Sequence, residues 1–295
     1  MLSILIPVYN YNVLELVIRL HIQAQDLGKP FEIIVADDGS EPTTCYINSQ
    51  VERLNSVRYY QFVENSGRSK IRNKLAYLAT YDYLLFLDCD SRVPDENFLK
   101  RYIGLCEGEL VICGGRLYDV KSPDEKEFYL RWFYGTHREV ISAVTRNQNP
   151  YKSFMTNNFV IAKSVFYKII FDESLNQYGH EDTLFGNDLY LYAIPVKHID
   201  NGLVHIGLES ANDFLIKTRQ SVENLLFIFK SKKGRHQMVN VKLLRWYRIL
   251  YYTGLRFLMS VYFKACENKM CENLTSADPS LRTFDLYKLG YMCTL

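Results

Sequence analysis

Five short apolar runs, Ser3 to Tyr9, Phe31 to Asp37, Val57 to Phe62, Tyr83 to Cys89 and Leu110 to Cys113, open this chain, and each is too apolar for a sheet with one wet face. Between them Val13 to Leu27, Thr43 to Leu54, Gly67 to Ala79 and Asp95 to Cys106 carry helical periodicity. In the third of these, Ile71, Leu75, Leu78 and Ala79 form one apolar stripe, while Arg68 and Arg72 share another side at i, i+4. Such alternation predicts an α/β fold: a Rossmann-like, mostly parallel sheet covered by helices, with ligands outside the carboxyl ends of its strands.

Polar residues gather at four of those ends. Pro7-Val8-Tyr9-Asn10 closes the first strand and Asp37-Asp38-Gly39-Ser40 the second. Asn65-Ser66-Gly67-Arg68 follows the third, and Asp88-Cys89-Asp90 ends the fourth. Taken singly, each is a turn or a helix cap; four at one sheet edge point to a binding site. In an extended segment residues i and i+2 face the same side, so Asp88 and Asp90 can converge on one hard cation, leaving coordination positions for phosphate oxygens.

The strings Ser3 to Asn10, Glu32 to Ser40, Asn65 to Arg68 with Arg72-Asn73, and Phe86 to Asp90 resemble, in order and spacing, the nucleotide-binding half of family 2 glycosyltransferases of the GT-A fold. The resemblance is strong over residues 1–115 and looser to about 208. It implies a nucleoside-diphosphate sugar as donor, with Tyr9 and Asp38 at the base and ribose and Arg72 near the base. Asp88 would hold the ribose and Asp90 the diphosphate through Mn2+ or Mg2+. Pro7, Asp37, Asn65, Gly67 and Arg68 complete the implied nucleotide set. Uridine is the base the analogy favours; no residue excludes guanosine or thymidine.

Asn157 to Ala162 reads as a further strand, and either Asn157 or Asn158 matches the family's sugar-side asparagine. Tyr178-Gly179-His180-Glu181-Asp182 opens a helix with Leu184, Phe185, Leu189 and Tyr192 on one stripe. A carboxylate at a helix N-terminus is favoured in its ionised form. The string resembles the family's catalytic Glu-Asp motif, with Asp182 as general base, Glu181 as its acceptor-positioning neighbour, or the reverse, and His180 beside the sugars. A histidine metal ligand occurs hereabouts in some relatives. Of the histidines after the motif, His205 is better placed for that role than His198, against a plain structural use. Phe128 to Tyr134 is aromatic and suits either sugar stacking or a core helix.

Charge is uneven. Residues 214–295 carry 14 Lys/Arg against 5 Asp/Glu, while residues 1–213 carry 21 against 28. The expected organisation is a catalytic domain over 1–213, split into a nucleotide half at 1–115 and an acceptor half at 116–213, then a basic helical extension over 214–295. Within it Lys242, Arg245, Arg248 and Arg256 share a third of a turn if Leu243 to Phe263 is one helix, and Lys232, Lys233 and Arg235 add to the positive face. That pattern suits either a helix lying on an anionic membrane or a C-terminal helical pair packed on the catalytic body with a solvated basic rim, and Arg256 argues against a full span. Seven cysteines without Cys-x-x-Cys spacing and a first strand in place of an export signal fit a cytoplasmic protein at the inner face of the plasma membrane. The acceptor expected there is a glycan or lipid-linked glycan, in surface polysaccharide synthesis; nucleic acid is not an expected partner.

Rival readings are a phosphohydrolase of haloacid dehalogenase type, whose Asp-x-Asp belongs on the first strand of its domain, a sugar-phosphate nucleotidyltransferase, which needs a Gly-rich loop after that strand, and a catalytically inactive membrane-bound scaffold.

Overall fold

A computed structural model describes residues 1–175, 178–231 and 241–295. Two compact units are present. The first comprises Met1–Asp119, Val140–Asn176 and Glu181–Gly207; the second comprises Val120–Glu139, Gln177–His180 and Leu208–Leu295.

In the first unit a seven-stranded sheet has the order β3-β2-β1-β4-β8-β6-β9. Its strands are β1 (Leu2–Val8), β2 (Phe31–Asp38), β3 (Val57–Phe62), β4 (Tyr83–Leu87), β6 (Val111–Cys113), β8 (Asn158–Ala162) and β9 (Val196–His198). Only β8 runs against its neighbours β4 and β6. A small second sheet sets β10 (Leu203–His205) between β5 (Ser91–Arg92) and β7 (Arg116–Leu117). The mostly parallel sheet agrees with the sequence expectation, and the apolar runs begin and end within two residues of the strands.

Period-2 alternation explains what the central strand buries. Leu84 and Phe86 face a core packed with Phe159, Phe166 and Phe185, while Leu85 and Leu87 face one with Val17, Leu20 and Phe98. The alternation continues beyond the strand end, where Cys89 packs on the second core. Helices α1 (Leu14–Asp26), α3 (Arg68–Leu78), α7 (Lys163–Phe166) and α8 (Glu181–Leu191) bring apolar residues to one or other of these cores. Two expected helices are shorter than their sequence windows. The segment from Pro42 is helical only to Ser49 (α2) and tightens into a 3-10 turn over Gln50–Arg53. The one expected from Asp95 begins at Phe98 (α4, Phe98–Ile103), because the Asp95 carboxylate accepts from the Asn97 amide and holds a turn.

Strand β1 lies between β2 and β4, so successive connections leave it in opposite directions. This is a topological switch point, and the carboxyl ends of β1 and β4 flank the crevice there.

The second unit is helical: α5 (Tyr129–Arg138), α9 (Ala211–Lys230), α10 (Lys242–Tyr252), α11 (Arg256–Leu274) and α12 (Leu281–Thr294). The short helix α6 (Ala143–Asn147) belongs to the first unit. In α5, Leu130 is buried and Tyr134 packs on Phe214 and Phe284 at 5.5 and 5.2 Å, which is core packing. The single helix expected over Leu243 to Phe263 is two helices. Gly254, at φ +76°, takes the left-handed conformation that ends α10, so Arg256 opens α11 and leaves the stripe of Lys242, Arg245 and Arg248. Lys232, Lys233 and Arg235 lie outside the described residues. No described helix is long and apolar enough to cross a membrane.

Candidate active site

The site is built from strand ends that the sheet brings side by side. Asp88 and Asp90 follow β4, and the Asp88 amide donates to the Asn157 carbonyl at 3.0 Å. The Asp88 carboxylate is clamped by two guanidinium groups: Arg72 Nη2 reaches Oδ1 at 2.8 Å and Arg116 Nη2 reaches Oδ2 at 3.2 Å. Arg72 is 3% exposed, and its Nη1 lies 3.9 Å from Glu181 Oε1, to which Arg68 also reaches at 3.5 Å. Arg72 therefore stands between the Asp-x-Asp segment and the Glu-Asp segment.

Asp90 faces His205, with Oδ1 and Nδ1 3.5 Å apart. That is too long for a hydrogen bond. Both atoms are buried without a hydrogen-bond partner, as is His205 Nε2. Buried polar atoms are normally paired, so two facing orphans of this donor type fit a divalent cation between them, which would take one nitrogen and one oxygen ligand. Among the described residues no cluster of three metal-ligating side chains exists, leaving the remaining positions to phosphate oxygens or water. Burial works against the Asp90 carboxylate, but the facing His205 imidazole, then Arg116 and Arg68, outweigh it and hold its pKa well below the usual carboxylate range. The direction of that shift favours the ionised form, which a cation ligand needs.

Asp182 behaves oppositely. Burial, then the charge of neighbouring Glu181, pushes its pKa up to about 6. Its Oδ1 accepts from the Thr183 amide at 2.7 Å. Two carboxylates in one site with pKa values driven apart divide the work of a charged ligand and a proton acceptor.

The nucleotide set is more varied. Tyr9 is exposed at the end of β1, and Pro7 lies within that strand beside Ala36. Asp37 is fully buried, accepting from the Ser40 amide and from the Tyr59 hydroxyl at 2.7 and 2.9 Å. Asp38 ties down the next loop: Oδ1 accepts from Ser66 and Oδ2 from the Gly67 amide, whose other acceptor is Asn65 Oδ1. Asn158 Nδ2 donates to Asn201 O and Gly115 O, and its Oδ1 accepts from Tyr102. Asn157 donates to Gly115 O but leaves a buried Oδ1 without a partner. His180 belongs to the second unit, with Nε2 3.2 Å from Ser221 Oγ. His198 binds the Pro150 carbonyl and Arg146, a structural arrangement.

Two contributors escape sequence reasoning. Arg116 sits on a two-residue strand with no periodicity to mark it. Gly207 follows His205, and its amide and that of Ile206 donate to the Asp90 carbonyl at 3.3 and 3.0 Å. A Cβ there would lie 2.6 Å from Asp90 Cβ. Gly207→Ala is expected to cost about 1 to 3 kcal/mol through this overlap and to weaken Mn2+ binding, read by chemical denaturation and by calorimetric titration.

The sequence profile of glycosyl transferase family 2 matches residues 3–176, more than half of the chain. The chain belongs to this family. Among curated relatives, hyaluronan synthase of Pasteurella multocida is 29% identical over 231 residues, covering 68% of this chain and 24% of the synthase. Chondroitin synthase of Escherichia coli is 24% identical over 238 residues, covering 69% and 34%. The chain thus spans about a quarter to a third of the length of these relatives. Among solved structures, residues 1–349 of S. aureus TarS in complex with UDP-GlcNAc superpose with a TM-score of 0.52 at 18% identity, over 97% of this chain and 89% of that one. A mannosyltransferase of Pyrobaculum calidifontis in complex with GDP-Man and Mn2+ gives 0.54 at 13%, over 80% and 66%. The fold of this family 2 member is GT-A. Asp88 and Asp90 follow the fourth strand, not the first, which removes the dehalogenase-like reading.

Proposed function

We propose that this family 2 chain is an inverting glycosyltransferase that moves a hexosyl or N-acetylhexosaminyl group from a nucleoside-diphosphate sugar, with uridine as base, to a hydroxyl of a glycan or lipid-linked glycan. The observation that carries the reading is the single guanidinium of Arg72 standing 2.8 Å from Asp88 and 3.9 Å from Glu181, which joins a cation-binding segment to a proton-accepting one.

In this reading Tyr9 offers an exposed ring to the base. Asp38 shapes the pocket through the loop carrying Asn65 and Gly67, and its Oδ2, which accepts only from the Gly67 amide, keeps a lone pair for the ribose. Asp37 braces the same edge. Asp88, fixed by two arginines, meets the ribose with an orientation it cannot lose. Asn157, with its unpaired buried oxygen, faces the sugars, and Asn158 holds the strand beneath; Arg68 completes the nucleotide contacts. A Mn2+ or Mg2+ ion held by Asp90 and His205 would neutralise charge on the departing diphosphate. Asp182 removes the acceptor proton, so one displacement inverts the anomeric centre. Glu181, paired with arginines, orients the acceptor. Residues 1–213 supply this chemistry, and 214–295 hold the enzyme at the cytoplasmic face of a membrane in polysaccharide assembly.

A screen of nucleotide sugars for slow hydrolysis, with Mn2+ and with EDTA, tests the reading. Metal-dependent consumption of a UDP-sugar is expected. Metal-dependent nucleotide binding without turnover on any acceptor would instead identify a scaffold, and no nucleotide binding at all sinks the assignment.

A further inference from the structure

The second unit carries an apolar elbow that its own core does not use. Helices α10 and α11 meet at Thr253-Gly254-Leu255, and the solvent face on each side of that turn is apolar. On α10 it runs Trp246, Ile249, Tyr252; on α11 it runs Phe257, Leu258, Val261. Tyr252 is 77% exposed, Phe257 72% and Leu258 62%, values at which large apolar side chains contribute nothing to folding. The inward faces are separate and satisfied: Leu244, Tyr247, Phe263 and Met270 are buried.

The apolar character is graded along both helices. The outer face of α10 starts with exposed Lys242 and Arg245, and only its last two turns are apolar. The outer face of α11 returns to polar residues from exposed Lys264, followed by Asn268 and Lys269. Exposed apolar surface on these two helices thus centres on the turn, where half-buried Arg256 donates to the Cys293 carbonyl, with the other cations roughly two to three helical turns away. From Val241 to Cys266 there are five Lys/Arg and no Asp/Glu. The first carboxylate beyond, Glu267, is paired with Arg219.

We propose that this elbow is a lipid-insertion element, entering the headgroup and acyl boundary of an anionic bilayer while Lys242, Arg245 and Arg248 engage lipid phosphates. It rests on the membrane-side setting proposed above and names the residues that produce it. A patch with basic flanks and no acid complements an anionic surface. A second copy of the chain is the poorer occupant, because a two-fold contact through this patch sets like charges against each other. Neither helix crosses a membrane, which leaves an interfacial pose with an apolar face down and a basic rim up.

The test is flotation of the full chain with phosphatidylcholine vesicles, with and without phosphatidylglycerol. Recovery is expected only with the anionic lipid, and salt is expected to release the protein. Lys242→Gln with Arg245→Gln should weaken partitioning roughly 25-fold, at about fivefold per cation. Phe257→Ser with Leu258→Ser should lose at least about tenfold, with unchanged far-ultraviolet circular dichroism as control. Quenching of Trp246 by brominated lipid, with Trp132→Phe to remove the other tryptophan, reads insertion directly. Equal recovery on neutral and anionic vesicles, no recovery on either, or concentration-dependent dimers abolished by the serine pair would each overturn the inference. Nucleotide binding without flotation sinks this inference and the membrane-side setting while the catalytic reading stands; flotation without nucleotide binding sinks the catalytic reading alone.

Discussion

Asp182→Asn is expected to cut transfer by about 10²- to 10⁴-fold while leaving nucleoside-diphosphate affinity within about twofold, since general-base assistance is worth that much and the substitution keeps the side chain's shape. Steady-state turnover and calorimetric titration of UDP with Mn2+ separate the two effects. A pH profile adds a second signature. With a pKa pushed up to about 6 by burial and then by Glu181, Asp182 is protonated below that pH, so kcat/KM should fall about tenfold per pH unit on the acid side and level off above. The stability effect runs the other way. A carboxyl whose folded pKa exceeds its ordinary value of 3.8 favours the folded state below that value, and this contribution is lost as pH rises through the folded pKa. Asp182→Asn has no such dependence. It should therefore melt above the parent near about pH 8, with the difference vanishing below about pH 4. A variant that loses activity together with stability, or a parent profile flat through pH 6, would remove Asp182 from the role of base.

Asp90→Ala should produce a different failure: loss of metal-dependent donor binding and a fall in transfer of about 10³-fold or more, because a cation at the leaving group is worth several kcal/mol. Asp90 Oδ1 makes no hydrogen bond, so none is broken there; what is lost is a carboxylate whose pKa, against burial, His205, Arg116 and Arg68 hold low, and with it a contribution to stability above the ordinary carboxylate range. Its neighbour gives the contrast. Removing the Asp88 carboxylate takes from Arg72, at 3% exposure, its nearest anion, and breaking a buried pair on one side costs about 3 to 5 kcal/mol. Asp88→Ala should therefore lower the melting temperature by more than Asp90→Ala does. Titration of Mn2+ with UDP, alongside thermal unfolding of both variants, reads the distinction. Undiminished Mn2+-dependent UDP binding by Asp90→Ala would refute the placement of the cation.

Much of the first unit was legible because its signals are local. Strand ends and helix windows in the nucleotide half follow from period 2 and period 3.6, and Asp38, Asp88 and Asp90 stand out as polar residues closing apolar runs. Where local pattern failed, a tertiary or backbone reason is identifiable. Leu243 to Phe263 has the composition of one helix, yet a single left-handed glycine divides it and moves Arg256 off the basic stripe. The helix from Asp95 loses its first turn to a side chain that satisfies the backbone in a competing way.

The chain's own order of residues determined the parallel sheet, the family, and the chemistry on offer: carboxylates for a cation, a carboxylate for a proton, arginines for anions. Only the folded structure decided which of them act together. Arg68 and Glu181 meet although 113 residues separate them, Arg116 closes on Asp88 from a strand without a pattern, and Asp90 and His205 face each other as two unsatisfied atoms. Spacing along a chain governs which side of a strand or helix a residue takes. Burial, charge and unmet hydrogen bonds arise between distant segments, and they are what separate the raised pKa of Asp182 from the lowered one of Asp90, on which the two proposed roles rest.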